Sequence, residues 1–453
     1  MTLAQKYLYL RNLYNYNSAR NDQQTHFIYK QIISDLSTER MIHTKQNNSQ
    51  KLTLLSETIQ NAINSLQNPL NCSEARILVC PIDGPNWGFG FLTHQIRNCL
   101  TFAMKSGRTM VIQNDKPIYK FNATWNDLFM PASNCSFSEH AQPFLPLNEY
   151  LDIEQSDRIL IFQHRLELRI SAFRFVPIEL KNLLKYHSNP TIWFHGQLVK
   201  YIWRINEITE RVTKQFASNI PFECGPVVGI HVRRTDKISE AKLHDLEEYM
   251  EWVDFWFDVM DGPNLLTPKP SNCTNRRMLF IASDLPALKN VVEEANSKWS
   301  DKYEIYFGKF NTTYDSKEAL AEIIAVTHIL AKCQFLVCTF SSNACQVTYE
   351  FMQSIQGDAS ENAYSLDYFY NELWFDTEME ATAEYKPIQD YPLNPDEMWA
   401  EKGDIIVVKS PIDQNGYIRG KNPHLNSEGR FPMYLLKEHL IFDNFSVFFN
   451  ISI

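Results

Sequence analysis

The sequence predicts an α/β protein in which two open α/β domains face each other, between an N-terminal helical stem and a small C-terminal β module. Strand-like runs alternate with helical periodicity between residues 216 and 360, a pattern typical of parallel sheets. Residues 1–66 contain neither Gly nor Pro, which favours long helices. Near residue 395, turn residues and short β-branched runs follow each other closely.

Composition limits the class of protein. The chain has 453 residues, of which 44% are hydrophobic, so it can bury the cores of two or three domains. Its formal net charge of −10, without a basic tract, argues against a general nucleic-acid binder.

The stem is expected to span residues 1–68. Apolar residues recur there at helical spacing, for example Leu52, Leu55, Ile59 and Ile63. This spacing predicts two helices that pair with each other or with a second chain as a coiled-coil homodimer.

The two α/β domains are expected to span residues 69–215 and 216–385. The first contains a Gly-x-Gly turn at Gly88 and Gly90. In the second, strands and helices are expected to alternate at 227–232, 246–258, 278–282, 285–295, 318–330 and 335–339.

Charged residues follow the first strand of the second domain. His231, Arg233, Arg234, Asp236 and Lys237 come after the β-branched run 226–230. Ligands of open α/β sheets bind at the carboxyl ends of the strands, and two arginine forks suit a pyrophosphate. The alternative is a surface salt-bridge cluster.

Three ordered blocks carry a resemblance to a known family. They are His231-Val232-Arg233-Arg234-Thr235-Asp236-Lys237 with Glu240, the block 335–342 with Cys345 and residues 349–350, and the block 71–80 with Gly88-Phe89-Gly90 and His94. Together they resemble the core α-1,6-fucosyltransferases, which add fucose from GDP-fucose to the innermost GlcNAc of N-glycans. The resemblance covers roughly residues 5 to 440, and it implies a GT-B-like arrangement of two Rossmann-like domains.

The resemblance also implies an inverting reaction that needs no metal cofactor. Metal-dependent glycosyltransferases often hold the metal with Asp-x-Asp, and this sequence contains no such motif. Arg233 would then supply the countercharge to the β-phosphate, with the backbone of Gly88 and Gly90 and with Ser342. Lys237 would orient the base or the acceptor, and Glu240 would take the proton of the attacking hydroxyl.

Further substrate contacts are implied for His231, which matches a guanine contact, and for Arg234, Asp236, Asp284 and Asp367. From the residues alone, other interpretations stay open. His231 fits a satisfied core histidine, Asp284 fits the N-cap of the next helix, Glu240 fits a surface carboxylate, and the two glycines fit a plain turn.

The nine cysteines favour an oxidising compartment. By resemblance Cys72 would pair with Cys135, Cys80 with Cys99, and Cys338 with Cys345. Cys224 and Cys273 could bridge the ends of the segment between them, and a metal site of Cys333, Cys338 and Cys345 is the alternative.

The resemblance implies a Golgi-lumenal protein with a membrane anchor. Eight Asn-x-Ser/Thr sequons agree with that address. No apolar span of about twenty residues occurs in this chain, so we expect either a missing N-terminal anchor or a cytosolic protein.

The C-terminal module, residues 395–440, resembles the latter two thirds of an SH3 barrel. Its order of turns includes the Gly-x-Phe-Pro-x-x-Tyr segment 429–434. The aromatic opening that binds proline-rich peptides is absent, so a role in shaping the glycan acceptor site is favoured over peptide binding.

Several positions depart from the family pattern. Val326 stands where the family has an Asp that pairs with guanine, Asp413 where an SH3-loop His contacts acceptor, and Tyr368 where a second acidic residue follows Asp367. The family's tyrosine near the β-phosphate maps to Tyr119 or Lys120. Two alternatives therefore stay open: a fucosyltransferase with another protein or glycan acceptor, and an inactive relative that binds glycans or partners.

Overall fold

The computed structural model describes most of the chain from residue 49 onward. The described residues are 49–82, 88–113, 117–118, 121–136, 142–144, 158–162, 175–184, 187, 189–234, 241–264, 270–271, 273–308, 316–368, 370, 377–386, 396–413 and 416–445. The first predicted stem helix, the loop with Asp236, Lys237 and Glu240, and the pair Tyr119 and Lys120 lie outside this part.

The first α/β unit is built on a four-stranded parallel sheet in the order β2-β1-β4-β3. Its strands are β1 Ile77–Cys80, β2 Thr109–Ile112, β3 Gln142–Phe144 and β4 Ile159–Phe162, with a short strand β5 Phe175–Pro177 outside the sheet. Its helices are α1 Ser49–Gln67, α2 Phe89–Ser106, α3 Pro190–Ile202 and α4 Glu207–Ala217. Helix α2 ends at Gly107, whose φ of 62° is the left-handed conformation that glycine adopts without strain.

The apolar stripe predicted for stem pairing packs on this first unit. Leu52, Leu55, Ile59 and Ile63 of α1 are buried in the same hydrophobic cluster as α3. The Ser56 hydroxyl donates to Oε1 of Gln197 in α3 at 2.6 Å. The stripe is therefore covered within the chain, which corrects the expectation that this face pairs in a stem coiled coil.

The second α/β unit contains a five-stranded parallel sheet in the order β10-β9-β6-β7-β8. Its strands are β6 Val227–Val232, β7 Arg277–Ser283, β8 Tyr303–Phe307, β9 Phe335–Cys338 and β10 Ala363–Ser365. Its helices are α5 Leu246–Asn264, α6 Leu285–Trp299, α7 Lys317–Lys332 and α8 Asn343–Gln356. The predicted alternation of strands and helices is confirmed, with ends that differ by a few residues.

The strand orders locate a crevice in each sheet. In the second sheet β7 and β8 extend to one side of β6, whereas β9 and β10 lie on the other side. In the first sheet the chain likewise goes from β1 to β2 on one side and to β4 on the other. Ligands of open α/β sheets bind where the strand order reverses, so the carboxyl ends of β1, β6 and β9 are the expected binding positions.

Hydrophobic burial joins the two sheets. The largest buried cluster contains apolar residues of β1, of the inward face of the second sheet, and of α2, α3, α7 and α8. A second cluster covers the outer face of the second sheet with residues of α5 and α6. The helices between the sheets thus form one continuous core, which fixes the two α/β units against each other.

The C-terminal region forms an antiparallel five-stranded sheet in the order β14-β13-β12-β11-β15. Its strands are β11 Thr377–Ala381, β12 Ile405–Val408, β13 Tyr417–Asn422, β14 Ser427–Pro432 and β15 Leu436–Glu438. Met433 of this module packs in the outer cluster of the second unit. That it closes into an SH3-like barrel stays a prediction.

The chain then returns to the first unit through strand β16, Ile441–Asp443. This strand pairs in parallel with β5, and Asp443 forms an ion pair with Lys105 of α2. Phe445 is fully buried, edge-on to Phe194 of α3 with 5.7 Å between ring centroids. The segment after β15 therefore fastens the C-terminal module to the far side of the molecule.

Four disulfides cross-link the described residues. Cys72–Cys135, Cys80–Cys99 and Cys338–Cys345 confirm the pairs implied by the resemblance, and Cys224–Cys273 confirms the bridge proposed for the remaining segment. Cys333 is a buried free thiol, so the metal-site alternative for the cysteines is wrong. No helix in the described ranges is long and apolar enough to cross a membrane.

Candidate active site

Polar residues collect at the carboxyl edge of the second sheet. Arg233 and Arg234 follow β6, Asp284 follows β7, and Ser342 and Asp367 lie beyond the ends of β9 and β10. Because all five strands are parallel, these residues share one edge of the sheet. The structure therefore brings together the predicted site residues that fall in the described ranges of this unit.

Two helix N-termini meet at the same place. Gly88, which has no side chain, is the N-cap of α2, and Ser342 is the N-cap of α8 without a side-chain hydrogen bond to the first turn. A Cβ atom on Gly90 would lie 2.7 Å from the backbone nitrogen of Ala344, so only glycine allows this approach. The positive ends of two helix dipoles thus meet beyond the end of β9, and Arg233 follows the neighbouring strand β6. Such an arrangement favours an anion with several oxygens.

The two adjacent arginines have different surroundings. The Arg234 guanidinium forms an ion pair with Glu294 of α6 at 2.9 Å, and its backbone N–H donates to Oδ1 of Asp284 at 3.2 Å. Asp284 is also the N-cap of α6, and its side chain accepts no hydrogen bond from the first turn of that helix. Asp284 therefore fixes the backbone after β6, whereas a substrate contact of either residue stays a prediction.

His231 lies under Arg233 in the buried part of the site. Its Nδ1 atom is buried and has no hydrogen-bond partner among the described residues. Burial, together with the charge of Arg233, lowers the pKa of His231 to about 4, although Asp284 acts in the opposite direction. A neutral imidazole with an unused polar atom suits contact with an uncharged ligand group, such as a nucleobase.

Acid is expected to destabilise the fold through His231 and His328. His328 stacks on Trp203 at 5.9 Å, and burial, aided by the charge of Lys332, lowers its pKa to about 4. Between pH 6.5 and 4 these two histidines are protonated in the unfolded chain but neutral in the folded chain. The free energy of unfolding therefore falls as the pH falls through that window. At pH 5 each histidine should lower the free energy of unfolding by about 2 kcal/mol relative to neutral pH.

Urea unfolding of the disulfide-intact protein at pH 7.5 and pH 5.0 measures this effect. The control is His328→Phe, which keeps an aromatic ring against Trp203 and should remove about half of the pH dependence. An equal urea midpoint at both pH values in the wild type would contradict the prediction.

Asp367 organises the loop that presents Ser342. Its Oδ1 accepts hydrogen bonds from the Ser341 backbone N–H at 3.3 Å and from the Ser365 hydroxyl at 2.9 Å. Its Oδ2 is buried without a hydrogen-bond partner in the described part of the chain. The carboxylate thus holds the turn after β9 in place, and one of its oxygens remains available to a ligand.

The departures from the family pattern occupy ordinary structural positions. Val326 of α7 is buried beside the end of β8, where its Cγ2 would lie 3.0 Å from a Cβ on Gly308. Asp413 pairs with Arg430 at 2.7 Å within the C-terminal module.

Ile412, next to Asp413, donates its backbone N–H to the Asp367 carbonyl at 2.8 Å. The C-terminal module therefore reaches the edge of the candidate site.

Sequence reasoning missed a buried polar cluster beneath the two helix N-termini. His94 and Arg97 of α2 meet Glu350 of α8, with Tyr370 and His195 beside them. The available signal was the spacing of Gly90, His94 and Arg97, which puts these three residues on one face of the helix. Their partners, 249 or more residues away, gave no signal.

A family model and two relatives that match this chain carry the same description. The family model described as "Alpha-(1,6)-fucosyltransferase N- and catalytic domains" matches residues 10–371. A Caenorhabditis elegans protein named Alpha-(1,6)-fucosyltransferase is 32% identical over 416 residues, which cover 87% of this chain and 70% of the relative. A Drosophila melanogaster protein of the same name is 30% identical over 398 residues, which cover 85% of this chain and 60% of the relative.

Solved structures give more distant likenesses. A mutant of Arabidopsis thaliana FUT1 in complex with GDP has a TM-score of 0.40 and 10% sequence identity, covering 65% of this chain and 72% of that chain. NodZ alpha-1,6-fucosyltransferase co-crystallized with GDP has a TM-score of 0.36 and 13% identity, covering 60% of this chain and 91% of that chain.

Proposed function

Because the chain belongs to the alpha-(1,6)-fucosyltransferase family, and is thus a glycosyltransferase, we propose that it moves fucose from GDP-fucose to O6 of the innermost GlcNAc of an N-glycan. The observation that carries the proposal is the close approach of the α2 and α8 N-termini beyond the end of β9, the neighbour of the strand β6 that Arg233 follows. A diphosphate leaving group carries the charge and the several oxygens that such a site binds best.

The chemistry follows from the residues in turn. The acceptor O6 attacks the anomeric carbon of fucose, and the bond from that carbon to the β-phosphate oxygen breaks. The electron pair of that bond remains on GDP, where Arg233 and the two helix N-termini stabilise the developing charge. Attack opposite the leaving group inverts the configuration at the anomeric carbon.

The proton of O6 needs an acceptor, for which the sequence offers Glu240 with Lys237 beside it. Both residues lie outside the described ranges, so these roles rest on the matching motif. The cations of the site supply the countercharge that a metal provides elsewhere, and we propose that transfer proceeds without a metal ion.

The C-terminal module is proposed to shape the acceptor site. The support is its contact with the sheet edge, where the Ile412 backbone N–H binds the carbonyl of Asp367. Asp413, the residue after Ile412, forms an ion pair with Arg430 of β14 and so ties this loop to the sheet of the module. A Golgi-lumenal location is proposed from the family resemblance and from the four disulfides, which suit an oxidising compartment.

Transfer from GDP-fucose to a biantennary GlcNAc-terminated N-glycan, measured by mass spectrometry, tests the proposed function. The reaction is run in EDTA and again with added Mg²⁺ or Mn²⁺. We expect one fucose on the innermost GlcNAc at equal rates in both conditions. Activity that required the metal would overturn metal independence, and GDP binding without transfer would redirect the search to other acceptors. Absence of both would favour the inactive relative that Val326 leaves open.

A further inference from the structure

A buried charge cluster joins the two helices whose N-termini form the candidate site. In α2, His94 and Arg97 follow Gly90 by four and seven residues and so lie on the same face. In α8, Asn343 and Glu350 are likewise seven residues apart. The Arg97 guanidinium binds the Glu350 carboxylate, and His94 lies 3.1 Å from Asn343 Oδ1 and 3.2 Å from Glu350 Oε1.

These contacts define a register between two parallel helices. Near the N-termini, Gly90 touches Asn343 and Ala344, and two turns later Arg97 touches Glu350. The helices therefore run side by side in the same direction, with their positive ends together. Parallel neighbouring dipoles repel each other, so the pairing needs other contacts to hold it.

The cluster is sealed from solvent. The side chains of Arg97 and Glu350 are both 0% exposed. The Tyr370 hydroxyl donates to Glu350 at 2.6 Å and lies 3.0 Å from Nδ1 of His195. On the side of α3, a Cβ on Gly196 would lie only 2.3 Å from the Glu350 carbonyl oxygen.

The energetics of the Arg97–Glu350 pair favour a role in setting the register of α2 against α8 over a role in stabilising the fold. Burial disfavours the ionised form of Glu350, but the nearby charges of Arg97 and His94 outweigh it and lower the pKa of this carboxyl to about 2. A buried ion pair of this kind adds little net stability compared with apolar residues of the same volume. In some proteins the benefit of such a pair is to specify one arrangement among several.

We propose that Arg97 and Glu350 are positioning residues, which set the register of α2 against α8 and thereby place both helix N-termini around the diphosphate of the donor. They act through the helices and do not touch the ligand. The inference rests on the proposed function in one respect, that the ligand of the two N-termini is a diphosphate.

The main test compares nucleotides that differ by one phosphate. The double variant Arg97→Met with Glu350→Gln removes the charges of both residues while keeping similar volumes, so neither charge is left buried without the other. Dissociation constants for GDP and GMP are measured by calorimetry on the disulfide-intact chain, with the thermal midpoint as a check on folding. We expect the affinity for GDP to fall about tenfold while that for GMP changes less than about twofold, because only the second phosphate depends on both N-termini.

Conservative and single variants sharpen the comparison. Arg97→Lys keeps the positive charge and should restore most of the GDP preference. Arg97→Met alone leaves Glu350 buried without its cation, so it should lower the thermal midpoint more than the double variant does. For GDP-fucose, kcat/KM of the double variant should fall about tenfold or more, since a misplacement near 1 Å can cost about 10²-fold.

Other outcomes overturn the inference. An unchanged ratio of GDP to GMP affinity in a folded double variant would show that the pair does not position the phosphate site. If the affinities for GDP and GMP fell by the same factor and the thermal midpoint fell as well, the Arg97–Glu350 pair would be only a structural contact. A wild-type protein that bound no GDP would overturn both proposals. GDP binding without transfer would overturn the proposed transfer reaction only, and the ratio of GDP to GMP affinity would still test the positioning role of Arg97 and Glu350.

Discussion

Replacing Arg233 with alanine is expected to lower kcat for fucosyl transfer by about 10²–10³-fold, the cost of removing one preorganised group from a developing negative charge. Arg233 follows β6 at the position where the strand order of the second sheet reverses. Its charge contributes to the lowered pKa of His231, two residues earlier in the chain. Affinity for GDP should also fall, by about 10-fold to 100-fold, because charge-assisted hydrogen bonds contribute about 1.5–3 kcal/mol.

The measurement is steady-state transfer with GDP-fucose, together with calorimetric binding of GDP. The matched control is Arg277→Ala, which removes the same side chain at the opposite edge of the sheet. Arg277 begins β7 and binds Asp258 at 2.8 Å. If Arg233→Ala transferred fucose as fast as Arg277→Ala, the assignment of Arg233 to the leaving group would be abandoned.

Arg234 gives a graded comparison. Its guanidinium is already paired with Glu294, so Arg234→Ala should cost less activity than Arg233→Ala, although the two residues are adjacent. A larger loss in Arg234→Ala would mean that Arg234 exchanges Glu294 for the substrate, and would make it the principal phosphate ligand.

Replacing Gly90 with alanine is the second change with a large expected effect. The new Cβ would lie 2.7 Å from the backbone nitrogen of Ala344 and 2.8 Å from the backbone carbon of Asn343. Neither atom can rotate away, so α2 and α8 must separate at their N-termini. We expect a destabilisation of at least about 1–3 kcal/mol, as for other overpacked sites, and a fall of about 10²-fold in kcat/KM.

The thermal midpoint and the kinetics of transfer measure the two effects of Gly90→Ala. Gly88→Ala is the matched control for stability, since a Cβ there meets no atom within 4 Å and the φ of −65° suits any residue. Only Gly90→Ala should lower the midpoint. Wild-type stability and activity in Gly90→Ala would mean that the two helices do not approach each other so closely in solution.

Local sequence patterns predicted the strands β6, β7 and β9 of the second sheet but not its edge strands β8 and β10. Strand β6 and the charges after it could be recognised because a run of β-branched residues and a run of ionisable ones adjoin in the sequence. The same local pattern could not tell that β9, rather than β8, lies beside β6. The crevice between Arg233 and Ser342 therefore becomes visible only in the strand order.

Two further features could not be predicted because they depend on contacts between residues far apart in the sequence. Arg97 and Glu350 are 253 residues apart, and an arginine within a helix of mixed composition predicts neither burial nor a partner. The apolar stripe of α1 was recognised correctly as a stripe, but its spacing cannot say which surface covers it. In the structure that surface belongs to α3 of the same chain, where Ser56 binds Gln197.

The pairing of β16 with β5 has a consequence for synthesis on the ribosome. Translation delivers residues in order, yet Phe194 is covered by Phe445 and Lys105 is neutralised by Asp443. Until residue 445 has left the exit tunnel, the first unit presents an uncovered apolar surface and an unpaired edge strand, which are features that chaperones bind. The first unit is thus the first to be made, but it gains its last strand only when residues 441–443 have been synthesised.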